Sequence, residues 1–286
     1  MPITTSYPIQ PKHRWSRPPN KYERHVDFAR INDNIDRLEI QFVRAVRPFI
    51  RRMENKAAAR IRQYESGRLR LFSEADKALY AKLYQVQAAK YHRTFGEITA
   101  AEVKTRFRPS RPVLASLNRD SRVITASNLD GVSASVAKNI SRLLGEEVHA
   151  AALDDSQIPK IVTYLKALLI GGAKLVGAVA VATSLAKTRE QIFADVAEDI
   201  YSYEFSAVLD GRQCPTCEDL DGMNLDQSDY DDTQWVTPIH HNCRCIWVAI
   251  LEEQTEKPAY TKPVRRAGGL TSPPYFDWIK KKGLAV

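Results

Sequence analysis

From Ile31 onward, apolar residues recur at steps of three and four: Ile31, Ile35, Leu38, Phe42, Val46, Phe49, Met53, Ala57, Ile61 and Tyr64. That stripe predicts a long amphipathic helix with Arg37, Arg44, Arg47, Arg51, Arg52, Arg60 and Arg62 on its polar face. Pro48 inside the stripe is expected to kink or interrupt it, and Gly67 to stop it. Ser73 followed by Asp76 has the form of a capping box with Asp in place of the usual Glu or Gln. It predicts a second helix through Leu79, Leu83 and Val86 towards Gly96. The run RFRPSRP (106–112) reads as a break, and Val132, Val136, Ile140, Leu143 and Val148 predict a further helix. Residues 161–186 hold two apolar runs divided by Gly171-Gly172, read as buried helix, turn, buried helix, which residues 187–204 continue with alternating charges. The β-prone runs FSAVL (205–209) and CIWVAIL (245–251) follow, on either side of an acidic, turn-rich segment.

Composition narrows the class. Of 286 residues, 44% are hydrophobic and 27% charged, the balance of a globular chain with a sizeable core. Residues 1–20 hold five Pro with Lys12, Arg14 and Arg17, so they are expected to form an extended arm that orders on a partner. They contain no apolar run of the kind a signal peptide needs. Lys166 and Lys174 interrupt the apolar stretch 161–186, which argues against a membrane span there. Lys and Arg exceed Asp and Glu by eight overall, and by nine within residues 1–72, which suits an anionic neighbour. The same arginines could equally solvate a helix face.

All four cysteines lie in one window: Cys214-Pro-Thr-Cys217, then His240-His241-Asn242-Cys243-Arg244-Cys245. A C-x2-C pair on a turn lets two thiolates share one metal, and a second cluster returning on a neighbouring strand completes the tetrahedron that zinc prefers. Cys214 and Cys217 form the firm pair, while Cys243, Cys245 and His240 compete for the remaining places. Disulfides or unligated thiols are the alternatives. Four protein donors leave no open coordination position, so the ion is read as structural zinc. The fold class that follows is α+β and mainly α-helical, with a small C-terminal zinc-stabilised β module and extended N- and C-terminal arms. Its divisions fall at 1–30 (basic Pro-rich arm), 31–125 (basic helical region), 126–205 (helical core), 206–251 (zinc-knuckle β module) and 252–286 (basic Pro-containing tail).

The His240-His241-Asn242 run is similar to the start of an HNH-type nuclease, but no further His follows His241 to hold a catalytic metal. Eight acidic residues between Asp210 and Asp232 match no Ca²⁺ loop, and neither a P-loop nor a G-x-G-x-x-G nor a G-x-S-x-G is present. The remaining histidines, His13, His25, His92 and His149, are scattered and read as ordinary surface or core residues. No enzyme is expected.

Leu209-Asp210-Gly211-Arg212-Gln213-Cys214-Pro215-Thr216-Cys217, then Leu220-Asp221-Gly222, then Pro238-Ile239-His240-His241-Asn242-Cys243-Arg244-Cys245 resembles the signature of the phage Mu F-like minor head proteins, or phage head-morphogenesis proteins. The family pattern is L-D-x-R-x-C-x-x-C, a D-G, then P-x-H-x-N-C-R-C. His241 stands where the family often has Pro. The helix 183–204, with Thr183, Arg189 and Glu190, resembles more loosely the one that precedes the signature. The resemblance covers about 205–250, and weakly back to about 160.

It implies a minor structural protein of a tailed-phage head. Such a protein associates with the portal vertex or inner capsid and acts in head assembly and DNA packaging. The implied partners are portal and major capsid proteins, with non-specific contact to packaged DNA through the basic N-terminal half and no membrane. The implied location is the virion, and the host cytoplasm during assembly. The competing reading is a zinc-containing, sequence-nonspecific nucleic-acid-binding protein.

Overall fold

The structure is a computed structural model that describes residues 28–62, 69, 71–144, 156–207, 215–233, 237–239, 243–251, 264–266 and 269–271. The N-terminal arm and nearly all of the tail lie outside these residues. The chain is mainly α-helical with a small sheet towards its C-terminus, and it divides into a helical unit of Asp27–Val196 together with Trp235–Arg244, and a β unit whose sheet comes from Ala197–Gln234 and the segment from Cys245 on.

Four long helices make the helical unit: α1 (Phe28–Arg62), α2 (Glu74–Glu102), α3 (Arg111–Leu144) and α4 (Ile158–Asp195). α4 packs against each of the other three. α3 runs unbroken through residues 125 and 126.

The stripe on α1 faces inward as the periodicity predicts: Ile31, Ile35, Leu38, Phe42, Val46, Phe49, Met53, Ala57 and Ile61 are all buried. Tyr64 lies outside the described residues. Pro48 does not interrupt the helix. It sits on the exposed side, and so does Arg44, whose carbonyl loses its amide partner to the proline ring and is left to water.

α2 starts where expected. Ser73 Oγ accepts from the Asp76 amide (3.2 Å), and the Asp76 carboxylate accepts from the Ser73 amide (3.0 Å), so Asp serves in the capping box. Asp76 is buried and also meets Arg60 (3.0 Å) and Lys56 (3.4 Å). Burial would push its carboxyl up, but the Ser73 and Arg60 hydrogen bonds outweigh that and hold it well below the usual carboxylate range.

The inward face of α2 differs from expectation. Leu79 and Leu83 are only half-buried and Val86 is exposed, while Tyr80, Tyr84, Tyr91 and Phe95 carry the face. The aromatics win because their rings interlock with α1. Phe49 stacks on Tyr80 at 4.9 Å, Phe42 meets Tyr84 edge-on at 6.2 Å, and the Tyr91 hydroxyl donates to the Leu38 carbonyl (3.1 Å). On α3, Val132, Val136 and Ile140 are buried as predicted. Leu143 is exposed, and Val148 is outside the described residues.

The expected turn at Gly171-Gly172 does not form, and α4 is one helix of 38 residues. The glycines serve close approach instead of reversal. A Cβ on Gly172 would lie 2.7 Å from the Asn128 side chain of α3, and one on Gly177 would lie 3.0 Å from Phe42 of α1. By length and composition α4 could cross a membrane, but 56% of its most apolar window is buried inside the protein. α4 also ends sooner than predicted, at Asp195.

Two polar networks join α4 to α2. His92 Nε2 accepts the Ser110 amide (3.0 Å), which leaves Nδ1–H to donate to Thr188 Oγ1 (2.8 Å), and Thr188 donates to the Ser184 carbonyl (2.6 Å). Burial pushes the His92 imidazole below its ordinary pKa. Arg189 pairs with Glu102 at 2.7 Å, with both side chains buried. It also reaches Thr99 Oγ1 (3.3 Å) and lies over the Phe193 ring.

In the β unit, a short 3-10 turn leads into β1 (Ile200–Ser206), which occupies positions assigned from sequence to the preceding helix. Its run of Ile, Tyr, Tyr and Phe is strand-forming, and five of its last six residues, from Ser202 on, are buried. After β1 come α5 (Pro215–Leu220), β2 (Asn224–Leu225), α6 (Gln227–Asp231) and β3 (Ile246–Leu251). The sheet is antiparallel in the order β2-β1-β3, with Tyr203 between Leu225 and Ala249, and Glu204 between Asn224 and Val248. Tyr203 stacks on Tyr230 of α6 at 3.8 Å, and Trp247 meets both Tyr230 and Phe205 edge-on at 5.3 Å. Within the tail, β4 (Val264–Arg266) and β5 (Gly269–Thr271) form an antiparallel hairpin that the sequence pattern did not predict.

Candidate metal centre

Three of the five predicted donors come together. Cys217, Cys243 and Cys245 are buried, and their sulfurs all lie within 4.8 Å of one another. Cys214 and His240 lie outside the described residues.

Local chemistry explains how Cys217 is positioned. Pro215, with its fixed φ, opens α5 and puts Cys217 on the first turn. The far end of α5 is tied to β1. The Asp221 carboxylate accepts from the Ala207 amide (2.8 Å), and Gly222 takes φ +85°, a conformation costly for any side chain. That turn lets the Gly222 amide donate to the Phe205 carbonyl (2.9 Å) and the Met223 carbonyl accept from the Phe205 amide (2.7 Å). The D-G element of the signature is therefore the clasp that holds α5 against the sheet. Cys243 and Cys245 lie in the irregular segment leading directly into β3, and both sulfurs reach Cys217 although the segment is not a strand.

The donor set fits zinc. Thiolates at about 2.3 Å from a tetrahedral ion are about 3.8 Å from each other, so sulfurs within 4.8 Å need only a small contraction. Three soft sulfur donors select zinc over the hard oxygen-seeking cations. A fourth donor must come from nearby, and Cys214 and His240 each stand three residues before a member of the cluster.

The acidic segment does not join this centre among the described residues. Asp226 caps α6 by accepting from the Asp229 amide (2.8 Å), and that bond, with one from Ser228, lowers its carboxyl pKa. Asp219, Asp229, Asp231 and Asp232 are exposed, as a solvated loop requires.

Arg189, which the looser part of the resemblance singles out, has its place in the helical unit with Glu102. Glu190 beside it is pushed up by burial, against the pull of Lys187. Lys187 in turn pairs with Asp120 (2.5 Å) and donates to Ser116. Sequence reasoning did not find Glu102, Thr99 or the His92–Thr188 pair, because no local spacing announces partners on separate helices.

Residues 156–248 match the model of a family described as Phage Mu protein F like protein. No curated protein and no solved structure matches the chain. The matched segment contains α4, β1, α5, β2, α6, the first half of β3 and all three clustered cysteines. Over residues 156–248, then, the chain is similar to the phage Mu protein F-like family, the same family that its cysteine signature resembles.

Proposed function

We propose that the protein is a minor structural component of a tailed-phage head. It sits at the portal vertex or inner capsid and acts in head assembly and DNA packaging. It assembles in the host cytoplasm and ends in the virion. Its partners are the portal protein, the major capsid protein or both, with non-specific contact to packaged DNA through the basic N-terminal half. The zinc held by Cys217, Cys243, Cys245 and one of Cys214 or His240 is structural, and the protein is not an enzyme.

The observation that carries this reading is the coincidence of two features on one segment. The family match spans 156–248, and the buried cysteine cluster falls inside it with the D-G clasp beside it. The competing reading, a zinc-containing nucleic-acid-binding protein, draws on the exposed arginines of α1: Arg44, Arg47, Arg51 and Arg52.

The test is a pull-down of tagged protein from phage-producing cells, treated with nuclease and washed in high salt. Salt and nuclease remove phosphate-driven association, so what survives is held by protein contacts. Recovery of portal or major capsid protein is expected. Loss of every partner, with DNA or RNA retained in an untreated control, would overturn the head reading in favour of the nucleic-acid one.

A further inference from the structure

The geometry points to the loop between α2 and α3, residues 104–111, as a preformed phosphate-backbone contact surface that takes nucleic acid through Arg106, Arg108 and Arg111. The inference rests on the reading that this protein meets packaged DNA, and it assigns that contact to a place outside the N-terminal 72 residues.

The loop is locked from below. α2 ends in a Schellman turn, with Lys104 at φ 54° and the Thr105 amide donating to the Ala100 carbonyl (2.8 Å). Phe107 then folds back onto α2. It meets His92 edge-on at 5.4 Å, and it lies so close to Gly96 that a Cβ there would collide with its ring. The Ser110 amide is held by His92 Nε2, and the Ser110 hydroxyl caps α3 by accepting from the Val113 amide (3.3 Å). With Phe107 turned inward, Arg106, Arg108 and Arg111 remain exposed.

None of the three arginines has an ion-pair partner among the described residues. From Val103 to Arg119 the chain carries Lys104, Arg106, Arg108, Arg111 and Arg119 and no acidic residue. Of the carboxylates close by in sequence, Glu102 is buried against Arg189, Asp120 is paired with Lys187, and Glu97 is exposed on α2. The first turn of α3 has no acidic residue either, so the positive end of a 34-residue helix adds its sign to the arginines.

A polyanionic phosphate backbone fits this surface better than a protein does. A protein interface has an apolar core within a polar rim. Here the one large apolar side chain of the loop, Phe107, is half-buried against His92, and the exposed positions are Arg, Lys, Thr and Pro. Guanidinium forks match phosphate oxygens, and a loop that is already ordered forgoes the entropy cost of arranging them.

The test is binding of the full-length protein to a double-stranded DNA of about 30 base pairs, by fluorescence anisotropy across a salt series. Each phosphate contact contributes about 0.9 to the slope of log affinity against log salt, so R106A/R108A/R111A is expected to flatten that slope by about 2.7. The advantage of the wild type over the variant should accordingly shrink about 40-fold between about 50 and 200 mM salt. R106K/R108K/R111K, which keeps the charges, should keep the slope. An unchanged slope in the alanine variant overturns the proposal, and so does a loss confined to R44A/R47A/R51A on α1. If the wild type itself does not bind, the reading that the protein meets DNA fails with it. If the alanine variant binds DNA normally but loses a protein in the pull-down, the loop is a protein contact instead.

Discussion

Breaking the Glu102–Arg189 pair is the sharpest test of what holds the helical unit together. The pair spans 2.7 Å between α2 and α4, and the two side chains are 6% and 3% exposed, so neither charge has water to fall back on. Glu102→Ala takes the Glu102 carboxylate away from the buried Arg189 guanidinium. Thr99 Oγ1 at 3.3 Å and the Phe193 ring at 5.0 Å remain to receive it, but neither carries a negative charge. Removing one partner of a buried pair costs about 3–5 kcal/mol. For a unit of this size each kcal/mol lowers the melting midpoint by about 2–4 °C, so Glu102→Ala should melt about 6–20 °C below wild type.

The assay is thermal and urea unfolding followed by far-ultraviolet circular dichroism, a signal dominated by the four long helices. The same physics makes a second demand. Replacing both partners with apolar residues, as in E102M/R189M, removes both desolvation penalties and should restore stability to within about 1 kcal/mol of wild type or exceed it. Two results would refute the reasoning. One is a Glu102→Ala cost below about 1 kcal/mol, which would mean water reaches the guanidinium. The other is a double variant as unstable as the single one, which would mean the loss came from packing rather than from charge.

Three further outcomes are expected. Lys104 holds φ 54° at the C-terminus of α2, where glycine has no Cβ to strain, so Lys104→Gly should raise stability by about 1 kcal/mol in urea melts. The folded state lowers the His92 pKa. Its stabilising contribution is therefore complete above the unfolded value of about 6.5 and drains away as pH falls through and below it. Glu190, whose pKa is raised, acts in the opposite sense at lower pH, so the difference between wild type and His92→Gln, measured from pH 7.5 to 5, isolates the histidine. Cys217→Ser should lower bound zinc per chain and expose residues 205–250 to protease, and unchanged metal content by mass spectrometry would sink the metal assignment. Comparing Cys214→Ser with His240→Ala then identifies the fourth donor by whichever lowers zinc content more.

What could be read from the sequence divides along physical lines. The α1 stripe was legible because a helix with one face in water must alternate, and nine of its positions are buried as the spacing requires. The face of α2 was not. Tyr80, Tyr84 and Tyr91 carry hydroxyls that blur the apolar pattern, and only the rings of α1 reveal that they point inward. Gly172 and Gly177 were ambiguous because a missing side chain serves a turn and a close helix crossing equally well, and the choice depends on Asn128 and Phe42 far along the chain. At the candidate site, the coming together of Cys217, Cys243 and Cys245 was legible because their spacing is that of metal-binding cysteines. The clasp made by Asp221 and Gly222 was visible as a motif but silent about its work, which is to bond Ala207 and Phe205.

The placement of the cysteines follows from how little else the β unit has to hold it. Its sheet has three strands, one of them only two residues long, and its aromatic core is Tyr203, Phe205, Tyr230 and Trp247. A core of that size supplies only a few kcal/mol, whereas a structural zinc site is worth on the order of 10. The clustered cysteines also sit where the chain most needs closing. Cys217 is on α5, which the Asp221 clasp fastens to β1, and Cys243 and Cys245 stand at the entrance to β3, which pairs with β1 on the other side. Between them runs the acidic segment, whose exposed Asp229, Asp231 and Asp232 repel one another and bury nothing. An ion held by these cysteines, as proposed, would fix the register of β3 against β1. On the proposed reading the signature combines two devices with one purpose: a cysteine cluster whose metal would close the loop, and a D-G clasp that seats the helix carrying Cys217 on the sheet.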